Sequence, residues 1–184
     1  MTPIVPGQPA KILLVDDRHD NLVALEAMLQ GLPVQAVTAD SGDAALKQLL
    51  KGDFALILLD AHMPGMDGFE TAAHIKSRER TRQIPIIFLT AADRDARLAL
   101  RGYAAGAVDY MTKPFDPWVL RAKVSILVEM YLKSEHIGVL ARQLAQLEET
   151  VGKTLAVLAE NPPTEAVKLA TELLQAAIRD ADTP

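Results

Sequence analysis

Five side chains in this sequence form a candidate reactive set. They are the adjacent carboxylates Asp16 and Asp17, then Asp60, Thr90 and Lys113. Each follows a short apolar run: KILLV before Asp16, FALILL before Asp60, IPIIFL before Thr90, and Ala107 to Met111 before Thr112-Lys113. Two neighbouring carboxylates repel unless a cation sits between them, and an all-oxygen cluster suits a hard ion such as Mg2+. Three carboxylates around one divalent cation, flanked by a hydroxyl and an ammonium, suit phosphoryl transfer to a carboxylate. Asp60 is the expected nucleophile of that set. Taken singly, each has a plainer reading. Asp60 could cap a helix or sit in a solvated turn, and Asp16-Asp17 could be a solvated acidic turn. What joins them is that each falls at the end of a strand, in order.

The strands and helices that carry these residues are legible as a pattern. Phe54 to Leu59 has no polar face, which suits a strand buried on both sides of a parallel sheet. Turn chemistry follows at Met63-Pro64-Gly65-Met66-Asp67-Gly68. Asp60 therefore falls at the carboxyl end of a buried strand, where open α/β sheets place their ligands. Lys11–Val15, Val34–Ala39, Ile84–Leu89 and Ala107–Met111 are the other predicted strands. Between them, Leu22, Leu25, Met28 and Leu29 have helical spacing, with Asp20 as the expected cap and Gly31 and Pro33 as the stop. Ser41 is the expected N-cap of a helix over 42–51, with Gly52 beyond its end. Further helices are expected over 69–78 and from an Asp93 cap to about Ala105. Strands alternating with helices argue βαβ units and, with right-handed crossovers, a doubly wound parallel sheet.

Composition removes several classes. The absence of cysteine excludes a disulfide framework and a thiolate metal site. No apolar run approaches the roughly 20 residues of a membrane helix. Met1 to Ala10 is proline-rich without a charged leader, so residues 1–9 are read as a flexible lead-in and the protein as cytoplasmic. A net charge of −5 gives nucleic-acid binding no electrostatic support.

The stretches LLVDDRHDN, LILLDAHMPGMDGFE, IIFLTA and GAVDYMTKPF carry a resemblance. Over residues 10 to about 130 the chain resembles the receiver domain of two-component response regulators. The resemblance implies a flavodoxin-like (βα)5 fold over residues 10–128. It implies that Asp60 takes a phosphoryl group from a histidine kinase or phosphotransfer protein, forming an acyl phosphate. Asp17, Asp60 and the His62 backbone carbonyl would bind Mg2+ directly, and Asp16 through a metal-bound water. Lys113 would pair with a phosphoryl oxygen and Thr90 would donate its hydroxyl to another. Tyr110 matches the aromatic that swings inward as the threonine moves, with small Ala91 leaving room. The Lys113–Pro114 bond is expected to be cis. Such a chain is a phospho-acceptor that catalyses its own phosphorylation and dephosphorylation, not a turnover enzyme. No matching position is degenerate. The His62 side chain could tune the access of water, or be an exposed loop histidine. His19, His74 and His136 have no metal-like spacing.

Beyond the receiver, residues 129–184 read as a helical extension. A helical pattern runs from Pro117 to Glu160, about 66 Å if continuous at 1.5 Å per residue. A heptad register places Ile126, Met130, Lys133, Ile137, Leu140, Leu144, Leu147, Val151, Thr154 and Leu158 at its seam, all apolar but Lys133 and Thr154. That favours a parallel homodimeric coiled coil over a helix folded back on its own receiver. Gly138 and Gly152 are possible breaks. Past Asn161-Pro162-Pro163, residues 164–179 form a second amphipathic pattern that could complete a four-helix bundle in the dimer. From Glu129 onward there are nine acidic and five basic residues and no basic recognition helix, so direct DNA binding is not expected. Output is expected through a downstream protein partner. The competing readings are a constitutive dimeric scaffold and a phosphorelay intermediate that passes its phosphate on.

Overall fold

The uninterrupted apolar run before Asp60 becomes the middle strand of a sheet. A computed structural model describes residues 9–91, 107–160 and 163–181. In chain order the elements are β1 (Ala10–Val15), α1 (His19–Leu29), β2 (Val34–Ala39), α2 (Gly42–Lys51), β3 (Leu56–Asp60), α3 (Gly68–Ser77), β4 (Ile86–Ala91), β5 (Asp109–Lys113), α4 (Pro117–Glu160) and α5 (Pro163–Ala181). The helix expected from Asp93 to Ala105 and most of the expected lead-in lie outside the described residues.

The five strands pair in the order β2-β1-β3-β4-β5, all parallel. This is a doubly wound, flavodoxin-like sheet. The run of crossovers reverses between β1 and β3, so the carboxyl ends of those strands flank the crevice where such sheets bind ligands. Strand alternation sends side chains to two cores. Leu14, Leu58 and Leu89 pack with Leu22 and Leu25 of α1 and with Leu120 and Val124 of α4. Leu13, Ile57 and Phe88 pack on the other face with Leu49 of α2 and Ile75 of α3. Each face thus loses its apolar area to helices, which is why β3 carries no polar face.

Local signals explain most of the ends. Ser41 accepts the Ala44 N–H at 3.3 Å, capping α2 as its sequence predicts. Asp67 does the same for α3 through the Glu70 N–H at 2.7 Å. Asp20 does not cap α1. The helix starts one residue before it, with Arg18 in the cap position, because Asp16 accepts the Arg18 N–H and draws the chain into the turn earlier. β3, β4 and β5 each sit two residues later than their apolar runs begin, so Asp60 and Lys113 are the last strand residues and Thr90 the last but one. Lys113–Pro114 is cis.

Gly68 marks a close approach. A Cβ there would lie 2.1 Å from the Asp60 carbonyl oxygen. Its own N–H donates to the Ala61 carbonyl at 3.1 Å, so α3 begins directly against the end of β3. Across the sheet, Arg121 of α4 donates to the Met28 and Gln30 carbonyls, 2.7 Å each, and ties the start of α4 to the end of α1.

The chain divides into two units after Leu132, within the long helix. α4 runs unbroken for 44 residues through Gly138 and Gly152. In the second unit, residues 133–181, Thr154 and Ala170 are buried, whereas Ile137, Leu140, Leu144, Leu147, Val151 and Leu158 are exposed. No described helix is long and apolar enough to cross a membrane.

Candidate functional site

The carboxyl ends of β1, β3 and β5 deliver the charged groups to one place. Lys113, the last residue of β5, reaches across β4 and β3. Its ammonium donates to Asp60 Oδ1 at 2.6 Å and to Asp16 Oδ2 at 2.7 Å. Asp16 has no exposure to solvent and Asp60 is only 6% exposed, so both carboxylates need hydrogen-bond partners. Asp60 gets a second one from the His62 N–H, 3.1 Å from Oδ2. Asp16 also accepts the Arg18 N–H at 3.0 Å and the Asn21 side-chain amide at 2.8 and 3.0 Å.

Burial raises the pKa of Asp60 above its ordinary value, with a further push from the Asp16 charge. The hydrogen bond and charge of Lys113 and the His62 N–H offset only part of this. Burial alone would lower the Lys113 pKa, but its hydrogen bonds to Asp16 and Asp60 and their charges outweigh it, so the net shift is upward. The lysine is therefore firmly protonated and acts as a fixed positive charge between two acids.

The other predicted site residues stand as follows. Asp17 and the His62 side chain are exposed beside the cluster. Thr90 is buried one strand over, and its hydroxyl donates to the Ala91 carbonyl at 3.2 Å rather than to Asp60. Tyr110 pairs with Phe88 across β4 and β5 and is exposed. Among the described residues, no three acidic, histidine or cysteine side chains gather into a metal-binding cluster. The donor chemistry nonetheless fits a hard cation. Two buried carboxylates already share one positive charge, and every candidate ligand is an oxygen. Asn21 is the residue that sequence reasoning missed. Its signal was its place five residues after Asp16, which on the first turn of α1 turns it back toward the strand end.

Residues 12–125 match the family model described as the response regulator receiver domain. Among curated proteins, response regulator PleD of Caulobacter vibrioides is 35% identical over 175 residues, covering 89% of this chain and 38% of PleD. The cyclic di-GMP phosphodiesterase response regulator RpfG of Xanthomonas campestris pv. campestris is 33% identical over 158 residues, covering 80% of this chain and 42% of RpfG. The chain thus spans less than half the length of either. Among solved structures, a putative response regulator from Chloroflexus aurantiacus matches with a TM-score of 0.61 and 34% identity, over 66% of this chain and 98% of that one.

Proposed function

The chain belongs to the response regulator receiver family of two-component signalling, and from that premise we propose that Asp60 accepts a phosphoryl group from a histidine kinase or phosphotransfer protein. The observation that carries the reading is the Lys113 ammonium held between Asp16 and Asp60 at 2.7 and 2.6 Å. An acceptor carboxylate needs a cation close by to admit a second anion, and one is in place.

In the transfer, an Asp60 carboxylate oxygen forms a bond to phosphorus while the bond from phosphorus to the donor breaks. The electron pair leaves on the donor's imidazole, which takes up a proton. The product is an acyl phosphate. Lys113 follows the incoming charge from the carboxylate to a phosphoryl oxygen. Thr90 turns its hydroxyl from the Ala91 carbonyl toward another, and Tyr110 moves inward behind it. Asp16, Asp17, Asp60 and the His62 carbonyl are the groups that would hold Mg2+, which when bound would neutralise charge on the transferring group.

The receiver comprises residues 10–128 and the output is the helical segment 129–184. Its exposed apolar seam favours a homodimer through the C-terminal helices, acting in the cytoplasm on a protein partner rather than on DNA. The test is incubation with acetyl phosphate and Mg2+ followed by phosphate-affinity electrophoresis. The wild-type band is retarded and that of Asp60→Ala is not. Equal labelling of the two would end the proposal. The same exposed seam supports a second reading, a scaffold that is dimeric in every state. Sedimentation with and without beryllofluoride and Mg2+ separates the two, because the scaffold alone predicts no change in assembly or partner affinity.

A further inference from the structure

The carboxylate of Asp16 is saturated. A carboxylate offers about four acceptor positions. On Oδ1 they hold the Arg18 N–H and Asn21 Nδ2, at 3.0 and 2.8 Å. On Oδ2 they hold Asn21 Nδ2 and Lys113 Nζ, at 3.0 and 2.7 Å. These partners differ in what they can do. The Arg18 N–H is backbone, set by the turn into α1. Lys113 is shared with Asp60, so it is the member drawn away when charge arrives there. Asn21 alone straddles both oxygens, and it does so from the first turn of a helix whose Leu22 and Leu25 are anchored in the core.

We infer that Asn21 is a positioning residue: its amide fixes the plane of the Asp16 carboxylate and keeps it aimed at the cation position against the pull of Lys113. Removing the amide frees the carboxylate to rotate toward Lys113, which then competes with the cation for both oxygens. A group that orients a metal-binding carboxylate is worth about tenfold or more in metal affinity. The inference rests on the reading of the cluster as a cation and phosphoryl site. It is tested with Mg2+ alone, so an Asp60 that takes no phosphate sinks that reading without touching this result.

The experiment is calorimetric titration of Mg2+ into the unphosphorylated full chain, as wild type, Asn21→Leu and Leu22→Ala. Leu22→Ala loosens the same helix without reaching Asp16, and so reports what a merely structural defect does. Asn21→Leu should weaken Mg2+ binding about tenfold, with Leu22→Ala binding as the wild type does. In wild type, the Asn21 side-chain amide resonances should shift on addition of Mg2+. Equal affinity of Asn21→Leu and wild type, an equal loss in Leu22→Ala, or no Mg2+ binding by the wild type overturns the inference. Should Asn21→Leu lack a native amide spectrum, the wild-type resonances decide: a shift supports the assignment and none refutes it.

Discussion

Up to Leu132 the large apolar side chains of β1, β3 and β4 lie out of water, whereas beyond it side chains of the same kinds lie in it. Ile12, Leu14, Ile57, Leu58 and Ile87 have no exposure, whereas along α4 Ile137, Leu140, Leu144, Leu147, Val151 and Leu158 are 40 to 65% exposed. Helices on both faces close the first unit's core within one chain. The second unit carries its apolar stripe in a heptad register, and one chain leaves that stripe uncovered. The contrast separates two sources of order. The receiver is specified by burial it completes itself. The helical segment keeps its apolar stripe exposed, the feature on which the proposed dimer rests.

Substitutions should affect the two units differently. Ile57→Ala, in the middle strand, should cost about 2–5 kcal/mol in chemical denaturation, because the cavity is sealed between layers. Gly68→Ala should cost about 1–3 kcal/mol, since the new Cβ meets the backbone of β3 and α3 must back away from the end of the strand that carries Asp60. Ser41→Ala should cost about 1 kcal/mol by leaving an α2 N–H without its cap. Leu144→Ala should leave receiver stability within about 0.5 kcal/mol. The same substitution should still lower the dimer fraction in sedimentation, and Leu144→Glu should remove it. Loss of receiver stability in the Leu144 variants, or a dimer indifferent to both, would erase the distinction between the units.

Much of this was legible in the sequence, for a physical reason. In a parallel sheet every strand end faces the same edge, so chemistry placed just after apolar runs converges without any knowledge of side-chain packing. Asp16, Asp60 and Lys113 meet on those terms. What was not legible depends on where a side chain turns. The Thr90 hydroxyl bonds the adjacent carbonyl of its own strand. The capping role expected of Asp20 is overridden by the turn that Asp16 organises. Asn21 lies within a helix whose pattern is read for its apolar face, so a polar residue pointing back at the strand end gives no periodic signal. Thr154, a polar seam position, is buried within its unit, where its hydroxyl bonds the Thr150 carbonyl at 2.9 Å.

The buried carboxylate beside Lys113 is the group proposed to take phosphate. Peptide-resolved mass spectrometry after exposure to acetyl phosphate and Mg2+ tests this directly. One added phosphoryl group on the peptide carrying Asp60, absent when Mg2+ is chelated and lost in Lys113→Ala, is the predicted result. Modification elsewhere in the chain, or none in the presence of Mg2+, contradicts it.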